Sequence, residues 1–182
     1  FRYHVGAGPV EVRVSVTNDE RPRKTIWNTV GWIRGSELPD EWVIVGAHRD
    51  AWGNGGVDNT SGIVSVLEAG RALSTLVREG LRPRRSILLA TWDAEEWGLI
   101  GSTEWVEEHR DELAAGAVAY INQDGVIGGP DFNASASPSL KELVRQITEL
   151  TPQPGARSGT SVYSAWHVRT GLPTANRVPL TN

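Results

Sequence analysis

Three short, continuously apolar segments constrain the fold of this chain more than any other feature of its sequence. They are WVIVGA (42–47), SILLATW (86–92) and AVAYIN (117–122). Apolar runs of this length are typical of strands buried on both faces of an α/β sheet. Helical patterns separate and follow them, over 61–77, 102–115, 137–150 and 162–171. This alternation predicts an α/β fold of three layers, a mostly parallel or mixed central sheet with helices on both faces.

The first third of the chain predicts an additional hairpin. VEVRVSV (10–16) alternates apolar and polar residues, and KTIWNTVGWIRG (24–35) is rich in β-branched and aromatic side chains. We therefore expect these two segments to pair at the edge of the sheet. A final strand is also expected near 174–179.

Composition narrows the classes of function. The chain has 182 residues, of which 39% are hydrophobic and 22% charged, a balance that argues against disorder and fits one domain. A net charge of −4 argues against nucleic-acid binding, which needs a basic face. The absence of cysteine excludes disulfide scaffolds and thiolate zinc sites. No apolar stretch is long enough to span a membrane, so no membrane contact is expected from this segment.

The ends of the sequence predict that the chain is part of a longer protein. It contains no methionine, including at position 1, and neither FRYHVGAGPV nor RVPLTN is typical of a natural terminus. Residues 1–182 are therefore expected to form one partial domain.

Acidic residues follow each of the three apolar runs, together with one histidine. They are His48, Asp50 and Asp58 after the first, Asp93, Glu95 and Glu96 after the second, and Asp124 after the third. Parallel strands bring their carboxyl ends to the same edge of a sheet, where ligands bind. Each residue alone has an ordinary explanation, since Asp58 could cap the helix near Ser61 and a Glu-Glu pair favours a helix start.

The joint occurrence of these groups indicates a cation site. Five or six carboxylates at one edge would repel one another unless a cation neutralised them. One imidazole among carboxylates suits zinc, cobalt or manganese, and two metal ions bridged by a carboxylate are a recurrent hydrolytic arrangement. Of the adjacent Glu95 and Glu96, one could bind metal while the other accepts a proton from water.

Three motifs resemble those of the co-catalytic zinc exopeptidases. They are GAHRDAWGNGGVDNTSG (46–62), TWDAEEWGLIGSTEW (91–105) and YINQDG (120–125). The family includes bacterial aminopeptidases, and the branch of glutamate carboxypeptidase II and the transferrin receptor is the more similar one. The resemblance implies an incomplete zinc-exopeptidase-like domain, two zinc ions in the full-length protein and a peptide substrate.

The resemblance also implies roles for individual residues. His48 and Asp124 would bind the first zinc, Asp58 would bridge both ions, and Glu96 would bind the second. Glu95 would be the general base, with Asp50 orienting the imidazole of His48. The peptide bond between Asp58 and Asn59 would be cis.

The sequence departs from the family pattern in several places. The second zinc needs a further histidine downstream of Asp124, and His4, His109 and His167 do not match that position. Within residues 1–182 we expect neither the protease-associated domain nor the helical domain of the branch. Only Arg177 stands where glutamate-specialised members carry an arginine patch, so glutamate specificity is not supported. Glu104 and Glu107 match acids that hold calcium in some relatives, with a solvated helix face as the alternative.

Three functions stay open at this point. The chain could belong to an active zinc-dependent exopeptidase, to a catalytically silent module similar to the transferrin receptor, or be inactive because the last zinc ligand is missing. The sequence does not distinguish aminopeptidase from carboxypeptidase action. By resemblance, we expect a secreted or extracytoplasmic protein, and a homodimer is one expectation for its full-length form.

Overall fold

The structure, a computed structural model, describes residues 11–21, 23–127, 129 and 132–170, with Gly6 and Gly8, and for 167–170 only the backbone. The strands of this part are β1 (Thr29–Ile33), β2 (Leu38–His48), β3 (Arg85–Trp92) and β4 (Ala117–Asn122). Its α-helices are α1 (Gly62–Arg78), α2 (Ile100–Glu108), α3 (Arg110–Gly116), α4 (Lys141–Leu150) and α5 (Val162–Thr170). A wide turn, Gly56–Ser61, leads into α1, and a 3-10 turn, Pro138–Leu140, leads into α4.

The four strands form one mixed sheet in the order β1-β3-β2-β4. Strand β2 is parallel to both β3 and β4, which confirms the parallel arrangement predicted from the three apolar runs. In this register His48 pairs with Trp92, and Gly46 pairs with Asn122. The carboxyl ends of β2, β3 and β4 therefore lie at the same edge of the sheet.

The predicted hairpin in the first third of the chain is wrong. Its second segment contributes β1, but β1 pairs antiparallel with β3. Residues 11–16 form no strand, and Val12, Val14 and Val16 are 78%, 78% and 76% exposed. An alternating pattern produces a strand only where a neighbour takes its backbone hydrogen bonds, and no described strand does so for this segment.

Helices cover both faces of the sheet, as predicted. On one face, α1 packs against β2 and β3, with Gly70 against Leu89. On the other face, Leu88, Ala90 and Trp92 of β3 form a buried cluster with Ile44 and with Trp105 of α2. Successive side chains of β3 point to opposite faces, so the strand separates the two layers.

Strand β4 differs from its prediction as a strand buried on both faces. Val118, Tyr120 and Ile121 are 51%, 47% and 39% exposed. Among the described strands β4 has one neighbour, β2, and of the helices α3 contacts it. An apolar run indicates burial only where other elements cover both faces of the strand, and the described residues leave side chains of β4 exposed on both.

The remaining helices follow their predicted ranges with local differences. The helix predicted over 102–115 breaks at His109, whose Nδ1 lies 3.0 Å from the carbonyl oxygen of Trp105. Helices α4 and α5 pack together around Ala136, Tyr163 and Trp166. Among the described residues, no helix is both long and apolar enough to cross a membrane. The strand predicted near 174–179, His4, Arg177 and the side chain of His167 lie outside the described residues.

Candidate metal centre and catalytic site

One buried histidine organises the carboxyl edge of the sheet. His48 is the last residue of β2, the central strand between β3 and β4, and is 3% exposed. Its Nε2 atom lies 2.9 Å from Oδ1 of Asp58, 3.3 Å from Oδ1 of Asp124 and 3.8 Å from Oε2 of Glu95. Three carboxylates from three different segments therefore surround one nitrogen of one imidazole.

The opposite nitrogen of the same ring faces Asp50. Nδ1 of His48 lies 3.0 Å from the carbonyl oxygen of Asp50 and 3.5 Å from its Oδ1. A hydrogen bond from Nδ1 to that carbonyl leaves Nε2 free to act as an acceptor or a ligand. Asp50 thus orients the imidazole chiefly through its backbone, while its carboxylate has other partners.

The carboxylate of Asp50 holds the segment that follows β3. Its Oδ1 accepts the backbone N–H of Glu95 at 2.9 Å, and its Oδ2 accepts that of Glu96 at 3.2 Å. The backbone of this segment turns sharply at Ala94, whose φ of 55° is uncommon for a residue other than glycine. Asp50 and this turn together set the position of Glu95 beside His48.

Burial and the neighbouring carboxylates change the pKa values of His48 and Glu95. Burial alone would lower the pKa of His48, but the negative charges of Asp124 and Glu95 and the Asp50 carbonyl outweigh it and raise that pKa. Burial raises the pKa of Glu95, and the charges of Asp124 and Glu96 raise it further against the opposing effect of His48. A carboxylate with a raised pKa is a better proton acceptor at neutral pH than an ordinary glutamate.

The donor set fits a metal ion. One ligand atom each from His48, Asp58 and Asp124 lie within 4.8 Å of one another, so a single cation could contact all three. An imidazole with two carboxylates suits a hydrolytic transition metal such as zinc rather than a structural zinc site. A cation would also neutralise the repulsion among the surrounding carboxylates.

Glu96 does not join this cluster. Its Oε1 accepts a hydrogen bond from the backbone N–H of Trp52 at 3.2 Å. The ring of Trp52 contacts that of Trp97 with centroids 4.8 Å apart, and both residues are more than half exposed. Glu96 thus lies at the rim of the site, beside the His48 cluster.

Helix α2 and the residue that follows it carry three further residues considered from the sequence. Glu104 and Glu107 are exposed on α2 and belong to no group of three potential ligands among the described residues. The ring of His109 stacks on Trp105 with centroids 4.4 Å apart. The peptide bond between Asp58 and Asn59 is cis, as the resemblance implied.

A cavity of about 770 Å³ opens beside the cluster. His48, Glu95 and Asp124 line one end, and Trp105, Val118 and Tyr120 are among the side chains that line the rest. Ligand pockets combine a mainly apolar lining with a few polar groups that fix orientation. The cavity is therefore a mainly apolar space next to Glu95, the residue that would accept a proton.

Two supporting interactions were missed at the level of sequence. The carboxylate of Asp93 accepts hydrogen bonds from the Trp27 backbone and from Arg49, both at 2.8 Å. The side chain of Asn59 is 1% exposed and bonds to the segment that carries Asp124. The only available signal was adjacency, because Arg49 follows His48 and Asn59 follows Asp58.

Comparison with known proteins identifies the family. Residues 28–169 match the model of peptidase family M28, and the chain belongs to this family. A probable glutamate carboxypeptidase, LAMP1, of Arabidopsis thaliana is 46% identical over 164 residues, which are 90% of this chain and 24% of that protein. The mouse aminopeptidase NAALADL1 is 45% identical over 158 residues, covering 86% of this chain and 21% of that protein.

The relatives also include a receptor. Human transferrin receptor protein 2 is 40% identical over 162 residues, covering 88% of this chain and 20% of that protein. The chain therefore spans less than a quarter of the length of these three relatives. Both enzymes and a receptor have closely similar segments.

Solved structures share the fold. An aminopeptidase from Aneurinibacillus sp. strain AM-1 superposes with a TM-score of 0.53 at 20% identity, covering 84% of this chain and 37% of that one. An M28 peptidase precursor from Shewanella amazonensis gives a TM-score of 0.52 at 24% identity, covering 78% and 33%. The four-stranded sheet and its helices correspond to part of the M28 peptidase fold.

Proposed function

We propose that this chain supplies the metal-binding core of a zinc-dependent exopeptidase. The observation that carries the proposal is the arrangement around His48, whose Nε2 lies within 4 Å of carboxylate oxygens of Asp58, Asp124 and Glu95. Membership in peptidase family M28 and the names of the relatives support a hydrolase that acts on peptide bonds.

In this proposal His48, Asp58 and Asp124 hold one zinc ion. When bound, the ion supplies Lewis-acid chemistry at the scissile carbonyl and acidifies water. Asp50 keeps the imidazole of His48 in one orientation through the contact between its carbonyl and Nδ1. Asp58 and Glu96 would hold a second ion together with further donors. The group of three potential ligands around His48 does not supply those further donors.

Glu95 is the proposed general base. It accepts a proton from the attacking water and passes it to the amine that leaves when the peptide bond breaks. Its position suits this exchange, because its Oε2 lies 3.8 Å from Nε2 of His48, beside the three residues that would hold the ion. Asp50 positions it by accepting the N–H of Glu95.

The proposed exopeptidase cleaves at one terminus of its peptide substrate. Relatives at similar identity are named a glutamate carboxypeptidase and an aminopeptidase. Paired assays decide the matter. An aminopeptidase cleaves a peptide with a blocked carboxyl end and spares one with a blocked amino end, and a carboxypeptidase does the reverse.

The test of the proposed function is the variant Glu95→Gln in the full-length protein. Glutamine keeps the size of the side chain but does not accept a proton, so turnover should fall by at least about 100-fold, the usual range of general acid–base catalysis. Zinc content should stay at the wild-type value. Glu108→Gln, an exposed position at the end of α2, is the matched control and should keep full activity.

A silent binding module is the second candidate, favoured by the 40% identity to transferrin receptor protein 2. The two candidates differ in metal content and turnover. A full-length protein that holds no zinc and cleaves no peptide would establish the silent module. Full turnover in Glu95→Gln, with zinc bound, would instead remove Glu95 from the mechanism.

A further inference from the structure

A single buried amide connects the two acidic segments of the metal centre. Asn59 follows Asp58 in the sequence, and its side chain is 1% exposed. Its Oδ1 accepts the backbone N–H of Gly62 at 3.0 Å, which fixes the amide against the start of α1. Burying an amide requires hydrogen-bond partners, so the orientation of this side chain is strongly determined.

The same amide bonds to the backbone on both sides of Asp124. Nδ2 of Asn59 donates to the carbonyl oxygen of Gln123 at 2.9 Å, and Oδ1 accepts the N–H of Gly125 at 3.2 Å. Asn59, which adjoins Asp58, therefore holds the two residues on either side of Asp124. These two bonds join the backbone beside Asp58 to the backbone beside Asp124.

Other contacts join the same segments, but neither of them bonds to the backbone on both sides of Asp124. Ser61 is buried too, with an exposure of 3%. Its Oγ accepts the N–H of Val126 at 3.1 Å and donates to the carbonyl of Val57. Oγ of Ser65 donates to the side chain of Gln123 at 2.9 Å. These contacts stabilise the packing of the segments, and they provide natural comparisons for Asn59.

We propose that Asn59 is a positioning residue that sets the spacing of the Asp58 and Asp124 carboxylates for the metal ion. The proposal rests on the proposed function, since it assumes that both carboxylates bind the ion. Asn59 does not contact the metal in this account. It acts by holding the backbone of Gln123 and Gly125, and loss of such supporting groups typically lowers metal affinity about 10–100-fold.

The test measures zinc affinity and stability separately in the full-length protein. The zinc dissociation constant is obtained by competition with a chromophoric chelator, and the free energy of unfolding is measured without metal. Asn59→Ala should weaken zinc binding about 10–100-fold. Asn59→Asp keeps the acceptor for Gly125 but places an oxygen against the carbonyl of Gln123, so it should also weaken zinc binding. This second variant provides the test if Asn59→Ala does not fold.

Ser61→Ala is the matched control. It removes a buried hydrogen bond between the same segments, so it should lower the stability of the metal-free protein while changing the zinc dissociation constant by less than about threefold. Zinc affinities of the Asn59 variants that equal the wild type, or fall no further than that of Ser61→Ala, would overturn the positioning role. A wild-type protein that binds no zinc would overturn the proposed function, and the role of Asn59 with it.

Discussion

The carboxylate of Asp50 accepts the backbone N–H of Glu95 at 2.9 Å, so the segment after β2 determines where the segment after β3 begins. The second oxygen of the same carboxylate accepts the N–H of Glu96. The carbonyl of Asp50 meanwhile contacts the imidazole of His48. One residue therefore positions a ligand and the proposed base at the same time.

This relationship predicts the effect of Asp50→Asn. An amide in place of the carboxylate presents an N–H group to a backbone N–H, so one of the two bonds to Glu95 and Glu96 is lost. Turnover in the full-length protein should fall about 10–100-fold. Asp40→Asn, an exposed position near the other end of β2, should leave turnover unchanged. Wild-type kcat in Asp50→Asn would contradict the positioning of Glu95 by Asp50.

Asp93 predicts a dependence of stability on pH. Burial alone would raise the pKa of Asp93, but the N–H of Trp27 and the charge of Arg49 outweigh it and lower that pKa. Its folded pKa is therefore below the unfolded value of about 3.9, and the stabilisation is present above that value and lost as pH falls through the folded pKa. Asp93→Asn should lower the free energy of unfolding at pH ~7 by about 1–2 kcal/mol, a range reduced for the partial exposure of Arg49.

Urea unfolding between neutral and acid pH checks this prediction. The stability difference between wild type and Asp93→Asn should shrink as the pH falls below ~4, where the carboxylate becomes protonated. Asp19→Asn is the control, because Asp19 and Arg21 form an ion pair with side chains 75% and 68% exposed, a kind that contributes little. A constant difference across the whole pH range would rule out the charge of Asp93 as its cause.

The core cluster predicts a large penalty for Leu88→Ala. Leu88 is fully buried at the centre of β3, between Ile44 and the tryptophans of the cluster. Truncation leaves a cavity in a sheet layer, so the free energy of unfolding should fall by about 2–5 kcal/mol. Leu81→Ala, at a position that is 64% exposed, should change it by less than about 0.5 kcal/mol. Equal effects of the two substitutions in chemical denaturation would show that Leu88 is not in the core.

The described cluster also predicts a metal stoichiometry. His48, Asp58 and Asp124 form one three-ligand group, while Glu96 bonds to the backbone of Trp52. The 182-residue chain should therefore bind one zinc ion tightly, and Asp124→Asn should weaken that binding strongly. Elemental analysis after dialysis measures the ratio, and two tightly held ions would contradict the prediction.

Much of the fold was predictable because local pattern and topology agree in the central strands. The apolar runs of β2 and β3 lie where two helical layers cover them, so their pattern reports burial correctly. The pattern failed for residues 11–16 and for β4, where exposure depends on which neighbours are available. Neighbours are a property of the tertiary structure, and a single segment contains no record of them.

The residues of the candidate site were predictable from the sequence, but the hydrogen bonds that hold them in place were not. Glu95, Asp58 and Asp124 follow strands that end at one edge, and the parallel sheet brings them to His48. The roles of Asn59 and of the Asp50 carboxylate depend on hydrogen bonds to the backbone of distant segments. Backbone partners carry no side-chain signature, so no motif could have revealed these bonds.

The central position of β2 has a consequence for the kinetics of folding. Glu95 follows β3 and Asp124 follows β4, so these two carboxylates lie beside His48 only once β2 has paired with β3 on one side and β4 on the other. We expect an ion that needs donors from all three segments to bind only after the sheet has assembled, so that it slows unfolding and leaves the rate of folding unchanged. A bound zinc ion would then lengthen the lifetime of the folded domain without shortening the time that the chain takes to fold.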